Sequence, residues 1–323
     1  MATAEQIKAL IRSHLSEDDE RFYTVALQVA AHEALQGHGE VAHDIRLIID
    51  QARKSHGAAK ILKFPPNLLG LVLEEEPQIP LAALVVSPTF KIRIERIIHE
   101  YRQQGKLKSY GLVNRRKILL IGPPGTGKTM TARVLAHELK LHLFTIQVHK
   151  LVTKFMGETS AQLRILFDLV RDVKGLYFFD EFDAIGGERS LDNDVGEMRR
   201  VLNSFLQFIE QDTSDSLIMA ATNSPQLLDR ALYRRFDDVL YYTMPEPINR
   251  EKLIRNVLGT FFDPSLELPL IVEATDGLSH AEIDSACRDA IKSVILSGKD
   301  NVSTSILMDM ITERQEAHWT QKG

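Results

Sequence analysis

Gly122-Pro123-Pro124-Gly125-Thr126-Gly127-Lys128-Thr129 is the stretch from which the rest of this chain is read. The apolar residues 118–121 precede it and a helical pattern over residues 130–140 follows, so the spacing predicts strand, loop and helix in succession. Glycines let the backbone curl until successive N–H groups face inward. The N-terminus of the following helix adds partial positive charge, and the two together suit a di- or triphosphate. Lys128 supplies the compensating cation, and the Thr129 hydroxyl stands where it can hold a magnesium ion. A glycine-rich turn that binds nothing is the competing reading; the Lys-Thr ending and the flanks weigh against it.

At 323 residues the chain exceeds one core of ordinary size, which predicts two or three domains. A hydrophobic content of 44% with 26% charged residues describes a soluble globular protein. No uninterrupted apolar run reaches the roughly 18 to 20 residues of a membrane span, and no basic region followed by an apolar core opens the sequence. The expectation is a cytoplasmic protein without a membrane partner. Cys287 is the single cysteine and falls inside a helical pattern, where it reads as a buried small hydrophobe. A net charge of -5 does not favour nucleic acid.

Outward from the loop, the first 57 residues read as a bundle of three helices. Ile7, Leu10, Ile11 and Leu15 recur at helical spacing, Ser16 caps a second helix carrying Phe22, Val25, Ala26 and Val29, and a third points Val41, Ile45, Ile48, Ile49 and Ala52 inward. The polar face of this bundle either binds a partner or caps the next domain. Residues 58–86 contain Pro65, Pro66, Pro77 and Pro80 among many leucines and read as an ordered connector. Ser87-Pro88 then opens a helix with Ile92, Ile94, Ile97 and Ile98 on its apolar positions. Lys106, Lys108, Arg115, Arg116 and Lys117 form a basic stretch read first as solvated charge, and second as a contact for a neighbouring subunit or nucleic acid. Beyond the loop, strand patterns at 141–148, 176–179, 217–221 and around Tyr241-Tyr242 alternate with helices, as in a parallel sheet. From about residue 249 strand signals fade into helices.

The chemistry gathers at strand ends. Asp180, closing the apolar run 176–179, can orient magnesium, and Glu181 beside it is placed to act as base toward the water attacking a γ-phosphate. Solvated turn carboxylates are the alternative, disfavoured by the loop upstream.

Together with Ala220-Ala221-Thr222-Asn223 and residues 228–238, these motifs resemble the AAA+ ATPase family, in its classical AAA branch, over residues 84 to 315. The resemblance implies an α/β fold: a P-loop parallel sheet (the AAA+ large domain) at 87–246, a C-terminal helical lid at 247–323, the connector at 58–86 and an N-terminal helical bundle at 1–57. It implies ATP and Mg2+ as ligands, with nucleotide contacts extending to Met130 and Ala281. It makes Asn223 the sensor of the γ-phosphate, and Arg234 and Arg235 the fingers that reach a neighbouring subunit's site. A guanidinium there neutralises charge on the γ-phosphoryl group. An arginine supplied in trans implies a closed ring, usually a hexamer in this family. Phe155 and Met156, in Lys154-Phe155-Met156-Gly157-Glu158, match the aromatic-hydrophobic pair that faces the pore and grips polypeptide.

This chain departs from the family pattern in places. His280 replaces the glycine that lies against adenine, Glu210-Gln211-Asp212 stands where many relatives have Asp-Gly-Phe, and the arginine segment is short, as in spastin- and katanin-like members. A zinc protease is excluded by spacing: His32-Glu33 is followed by Gln36, and His137-Glu138 by Leu141, so neither completes His-Glu-x-x-His. The expectation is therefore an ATP-hydrolysing ring that remodels, unfolds or threads a protein substrate, with a separate protease as one partner to consider. The rivals are a nucleic-acid ATPase of loader or transposition type, and an assembly scaffold switched by ATP.

Overall fold

The computed structural model describes residues 4–15, 19–57, 65, 68, 70–154, 159–185, 192–224, 226 and 230–319. The chain divides into two compact units, Met1–Pro65 and Pro66–Gly323.

The first unit is three helices, α1 (Ala4–Leu15), α2 (Asp19–Leu35) and α3 (Gly39–Gly57). Its core is small: Tyr23, Ala26 and Ile49 are buried, with Leu10, Phe22, Leu27 and Ile45 packed around them. Two residues expected to face inward do not. Val41 is 51% exposed and Ile48 65% exposed, because α3 packs on α2 along the narrower stripe of Ile45 and Ile49. The Ser16 cap and the side chains of Leu15 and Ala52 lie outside the described residues.

In the second unit, β1 (Val72–Glu75) leads to α4 (Pro88–Arg102) and α5 (Gln104–Ser109). Then come β2 (Lys117–Ile121), α6 (Lys128–Leu139), β3 (Leu143–Gln147), α7 (Val148–Lys154), α8 (Thr159–Asp172), β4 (Leu176–Asp180), α9 (Asp192–Gln211), β5 (Leu217–Thr222), α10 (Arg230–Tyr233) and β6 (Asp238–Tyr241). The last segment is helical: α11 (Pro247–Leu258), α12 (Leu268–Ala274), α13 (His280–Leu296) and α14 (Thr304–Trp319).

The strands form one sheet in the order β1-β3-β4-β5-β2-β6. Neighbours among β2 to β6 run parallel, and the apolar runs of β2, β4 and β5 suit strands covered on both faces. The parallel sheet carries one addition at its edge. β1, inside the segment read as a connector, pairs antiparallel with β3, Val72 facing Ile146.

α4 starts as its sequence predicts: Phe90 N–H donates to Ser87 Oγ at 3.3 Å and Pro88 occupies the first turn. Ile94, Ile97 and Ile98 are buried, whereas Ile92 faces solvent on the opposite side of the helix.

Two of the apolar clusters in this unit flank the site. One, under the sheet and α4, includes Leu84, Ile94, Ile118, Leu120, Val134, Phe178 and Met219. The other, within the C-terminal helices, includes Val85, Leu253, Ile254, Leu278, Ile283 and Cys287. Leu84 and Val85 are consecutive yet bury into different cores.

The basic stretch is less solvated than its composition suggests. Arg115 pairs with Glu100, Lys108 with Asp215, and the buried Arg116 with Asp212. A buried charge persists only when paired, and Arg116 also donates to the Asp212 carbonyl.

Candidate nucleotide site

β2 delivers the chain to the loop from inside the sheet, between β5 and the edge strand β6. Gly125 and Gly127 take φ of +72° and +103°, a region closed to most side chains, and Gly127 is the N-cap of α6. Thr126 closes the loop by donating its hydroxyl to the Pro123 carbonyl at 2.7 Å. Thr131 N–H donates to the Gly127 carbonyl at 2.9 Å, the first turn of α6. The helix is pinned from beneath by the buried Tyr242, whose hydroxyl bonds Thr131 Oγ1 at 2.7 Å.

Lys128 is buried and curls back over its own loop, donating from Nζ to the carbonyls of Gly122 and Pro123, each at 2.7 Å. Burial holds its ammonium below the usual lysine range, against the opposing pull of Asp180 and Asp183.

Three strand ends converge here. Thr129 donates its hydroxyl to Asp180 Oδ2 at 3.2 Å, bringing together the two residues expected to share magnesium. Asp180 Oδ1 accepts the Glu181 N–H at 3.0 Å. Glu181 has φ +52°, unusual for a residue with a side chain; the turn lifts its carboxylate off the strand, 63% exposed and 3.7 Å from His149 Nδ1. Asn223 follows β5, and its N–H donates to Asp183 Oδ1 at 3.3 Å. Gly122 N–H donates to the Thr222 carbonyl at 3.2 Å, joining the ends of β2 and β5. The ends of β2, β4 and β5 therefore form one polar rim, the place where open α/β sheets bind ligands.

The lid meets this rim at Gly125. Ala281 N–H donates to the Gly125 carbonyl at 3.0 Å, and a Cβ added at Gly125 would lie 2.5 Å from Ser279 Oγ. Ser279 is fixed by a capping box: Glu282 N–H donates to its hydroxyl and Ser279 N–H donates to the Glu282 carboxylate. Pro124 is exposed on the loop, and Met130 packs partly on the core.

Arg234 and Arg235 stand apart from this rim. They precede β6, and Asp237 after them binds the start of β2, its carboxylate accepting from the N–H groups of Arg116 and Lys117. β6 runs parallel to β2, so both arginines lie at the sheet end opposite the loop. Five strand residues of about 3.3 Å each put roughly 17 Å between the two ends. Arg235 donates to Glu210 at 3.1 Å, and Arg234 is exposed. Phe155 and Met156 lie outside the described residues.

Sequence reasoning did not find Asp183, His149, Ser279 or the Tyr242 hydroxyl. Two of them had a signal, Asp183 beside the carboxylates Asp180 and Glu181, and Ser279 in the run Gly277-Leu278-Ser279-His280-Ala281-Glu282-Ile283, which is similar to the family's lid pattern.

Residues 118–244 match the family described as ATPase family associated with various cellular activities (AAA). The chain is 32% identical over 310 residues to a Sinorhizobium fredii protein described as an uncharacterized AAA family ATPase, y4kL, covering 94% of this chain and 92% of that one. It is 37% identical over 194 residues to fidgetin-like protein 1 of Caenorhabditis elegans, covering 58% of this chain but 32% of that protein. The crystal structure of the FIGL-1 AAA domain superposes with a TM-score of 0.62 at 26% identity, covering 82% of this chain and 97% of that chain. Among the described residues no helix is long and apolar enough to cross a membrane. With the loop, the carboxylates at the end of β4 and this near full-length relative in agreement, the chain belongs to the AAA family of ATPases and hydrolyses ATP.

Proposed function

We propose that this ATPase works as a ring of identical subunits that uses ATP hydrolysis to remodel, unfold or thread a protein substrate in the cytoplasm. The carrying observation is the position of Arg234 and Arg235 at the sheet end opposite their own loop, which lets them complete a site only on a second copy.

In this reading the N–H groups of residues 122–129 hold the phosphates, and Lys128 exchanges its two loop carbonyls for phosphate oxygens. Thr129 and Asp180, a hydroxyl beside a carboxylate, fit a hard cation, and Mg2+ bound there would neutralise phosphate charge. Glu181 takes the proton of the attacking water, and Asn223 holds that water against the γ-phosphate. Arg234 of the adjacent subunit neutralises the charge that develops there. Met130 and Ala281 border the nucleotide from α6 and the lid. The lid, residues 247–323, then turns relative to residues 87–246 and moves Phe155 and Met156 along substrate in the pore. The paired state of Lys108, Arg115 and Arg116 removes support for a nucleic-acid partner.

The test is to mix two inactive variants, K128A and R234A. A ring with fingers in trans contains interfaces that join the intact loop of one to the intact arginine of the other, so mixing restores hydrolysis. Activity no greater than the sum of the separate variants overturns the ring reading. Unfolded protein should stimulate wild-type hydrolysis, and Phe155→Ala should lose that stimulation.

A further inference from the structure

Tyr242 follows β6 and is buried beside the phosphate loop, its ring set edge-on to Phe90 with the centroids 4.6 Å apart. Packing accounts for the ring but not for the hydroxyl, since phenylalanine would fill the same space and a buried O–H without a partner costs free energy. That hydroxyl is used. It donates to Thr131 Oγ1 at 2.7 Å, and Thr131 Oγ1 donates in turn to the Gly127 carbonyl at 3.1 Å. The order of donation is forced: a carbonyl only accepts, so the single hydroxyl proton of Thr131 goes to Gly127 and Tyr242 supplies the other. Burial pushes the phenol above the usual tyrosine range and keeps it protonated.

The relay ends on a peptide of the phosphate loop itself. The Gly127 carbonyl and the Lys128 N–H belong to one planar unit and point in opposite directions, so holding the carbonyl along α6 aims the N–H out of its N-terminus. The Thr131 N–H, at 2.9 Å, grips the same carbonyl as an ordinary helical bond. Gly127, a glycine at φ +103°, has no side chain to restrain that peptide, and the relay supplies a second hold on it. Tyr242 also meets the other end of the loop. Its N–H donates to the Ile121 carbonyl at 2.7 Å, and a Cβ added at Gly122 would lie 2.6 Å from both its Cβ and its carbonyl oxygen. We propose that Tyr242 is a positioning residue for phosphate binding, its hydroxyl acting through Thr131 to hold the Lys128 N–H toward the phosphates. The inference rests on the loop being the phosphate site and adds the residue that keeps the loop in its binding shape.

Calorimetric titration with Mg·ADP tests this on Y242F, T131V, T131S and the double variant Y242F/T131V, with the unliganded thermal midpoint of each as a check on folding. Y242F and T131V each break the relay and should bind about threefold to tenfold more weakly than wild type, the worth of one neutral hydrogen bond. The double variant should be no weaker than either alone, because both changes remove one relay. T131S keeps the hydroxyl and should recover most of the affinity that T131V loses. In ATP turnover Y242F should raise KM with kcat within about twofold of wild type, the sign of lost binding common to ground and transition states. An affinity of Y242F within twofold of wild type, losses that multiply in the double variant, or T131S as weak as T131V overturns the inference while leaving the nucleotide site standing. Should Y242F not fold, the comparison of T131V with T131S decides. Failure of wild type to bind Mg·ADP overturns the phosphate site as well.

Discussion

Arg235 donates from Nε to Glu210 of its own chain at 3.1 Å, while Arg234 beside it has no ion pair among the described residues. The two arginines are therefore not equivalent: one is anchored at the end of α9 and the other is available. Arg234→Ala is expected to lower turnover by about 10³ or more, the scale of a lost arginine finger, with ADP affinity unchanged. Glu210→Ala should cost less, because it frees Arg235 and leaves both guanidinium groups in place. Steady-state phosphate release ranks them, and equal losses in the two variants would contradict the asymmetry.

Glu181 sits at φ +52° with its carboxylate projecting from the strand end. Gln has the same shape and the same backbone needs, so Glu181→Gln should bind ATP normally yet turn over slower by about 10² to 10⁴, the usual worth of a general base. Calorimetry and single-turnover hydrolysis separate the two effects. Hydrolysis within a few-fold of wild type would remove Glu181 from the base role. Chelating Mg2+ with EDTA should stop hydrolysis in wild type.

Ser279 holds the lid helix by its cap and the loop by contact with Gly125. Ser279→Ala should destabilise the second unit by about 1 kcal/mol, the typical worth of a cap. Gly125→Ala should do more harm, since it meets Ser279 and must also take a φ of +72°. Chemical denaturation measures both, and the expected order is Gly125→Ala below Ser279→Ala below wild type.

Lys128 has its pKa lowered by burial in the free protein. Phosphate beside the ammonium favours the charged form and raises that value, so nucleotide binding takes up protons at alkaline pH. Affinity should then fall as pH rises through the lowered lysine value. Titrations in two buffers of different ionisation enthalpy read the proton uptake directly; heats identical in both at alkaline pH would count against it.

Cys287 is buried in the lid core, and burial pushes its thiol up to about 12. Iodoacetamide at pH 8 should leave it unmodified in the native protein and label it after unfolding, as mass spectrometry would show.

The loop was legible because its requirements are local: glycines where φ is positive, a lysine and a threonine at a helix start, an apolar strand before them. Strands β2, β4 and β5 were legible for a related reason, since burial on both faces leaves a run with no polar residue until the end. β1 was not, because only Val72 of its four residues is buried and prolines surround it. Contacts between distant residues left no local trace. Arg116 looked like one more solvated cation until Asp212, 96 positions away, supplied its counter-charge. The meeting of Ser279 with Gly125 and the stray φ of Glu181 are likewise products of the assembled sheet and lid. In α3 the periodicity marked a wider apolar face than one neighbouring helix can cover, which is why Ile48 was misplaced.

The burial of Leu84 in one core and Val85 in the other sets a limit on how the lid can travel. The chain on both sides of Val85 stays with the sheet, Leu84 before it and Phe90 and Ile94 after it, so Val85 is a side chain lent by one body to the core of the other. Any swing of the lid has to carry that side chain along or let go of it, which makes Val85 a latch on the motion rather than a hinge.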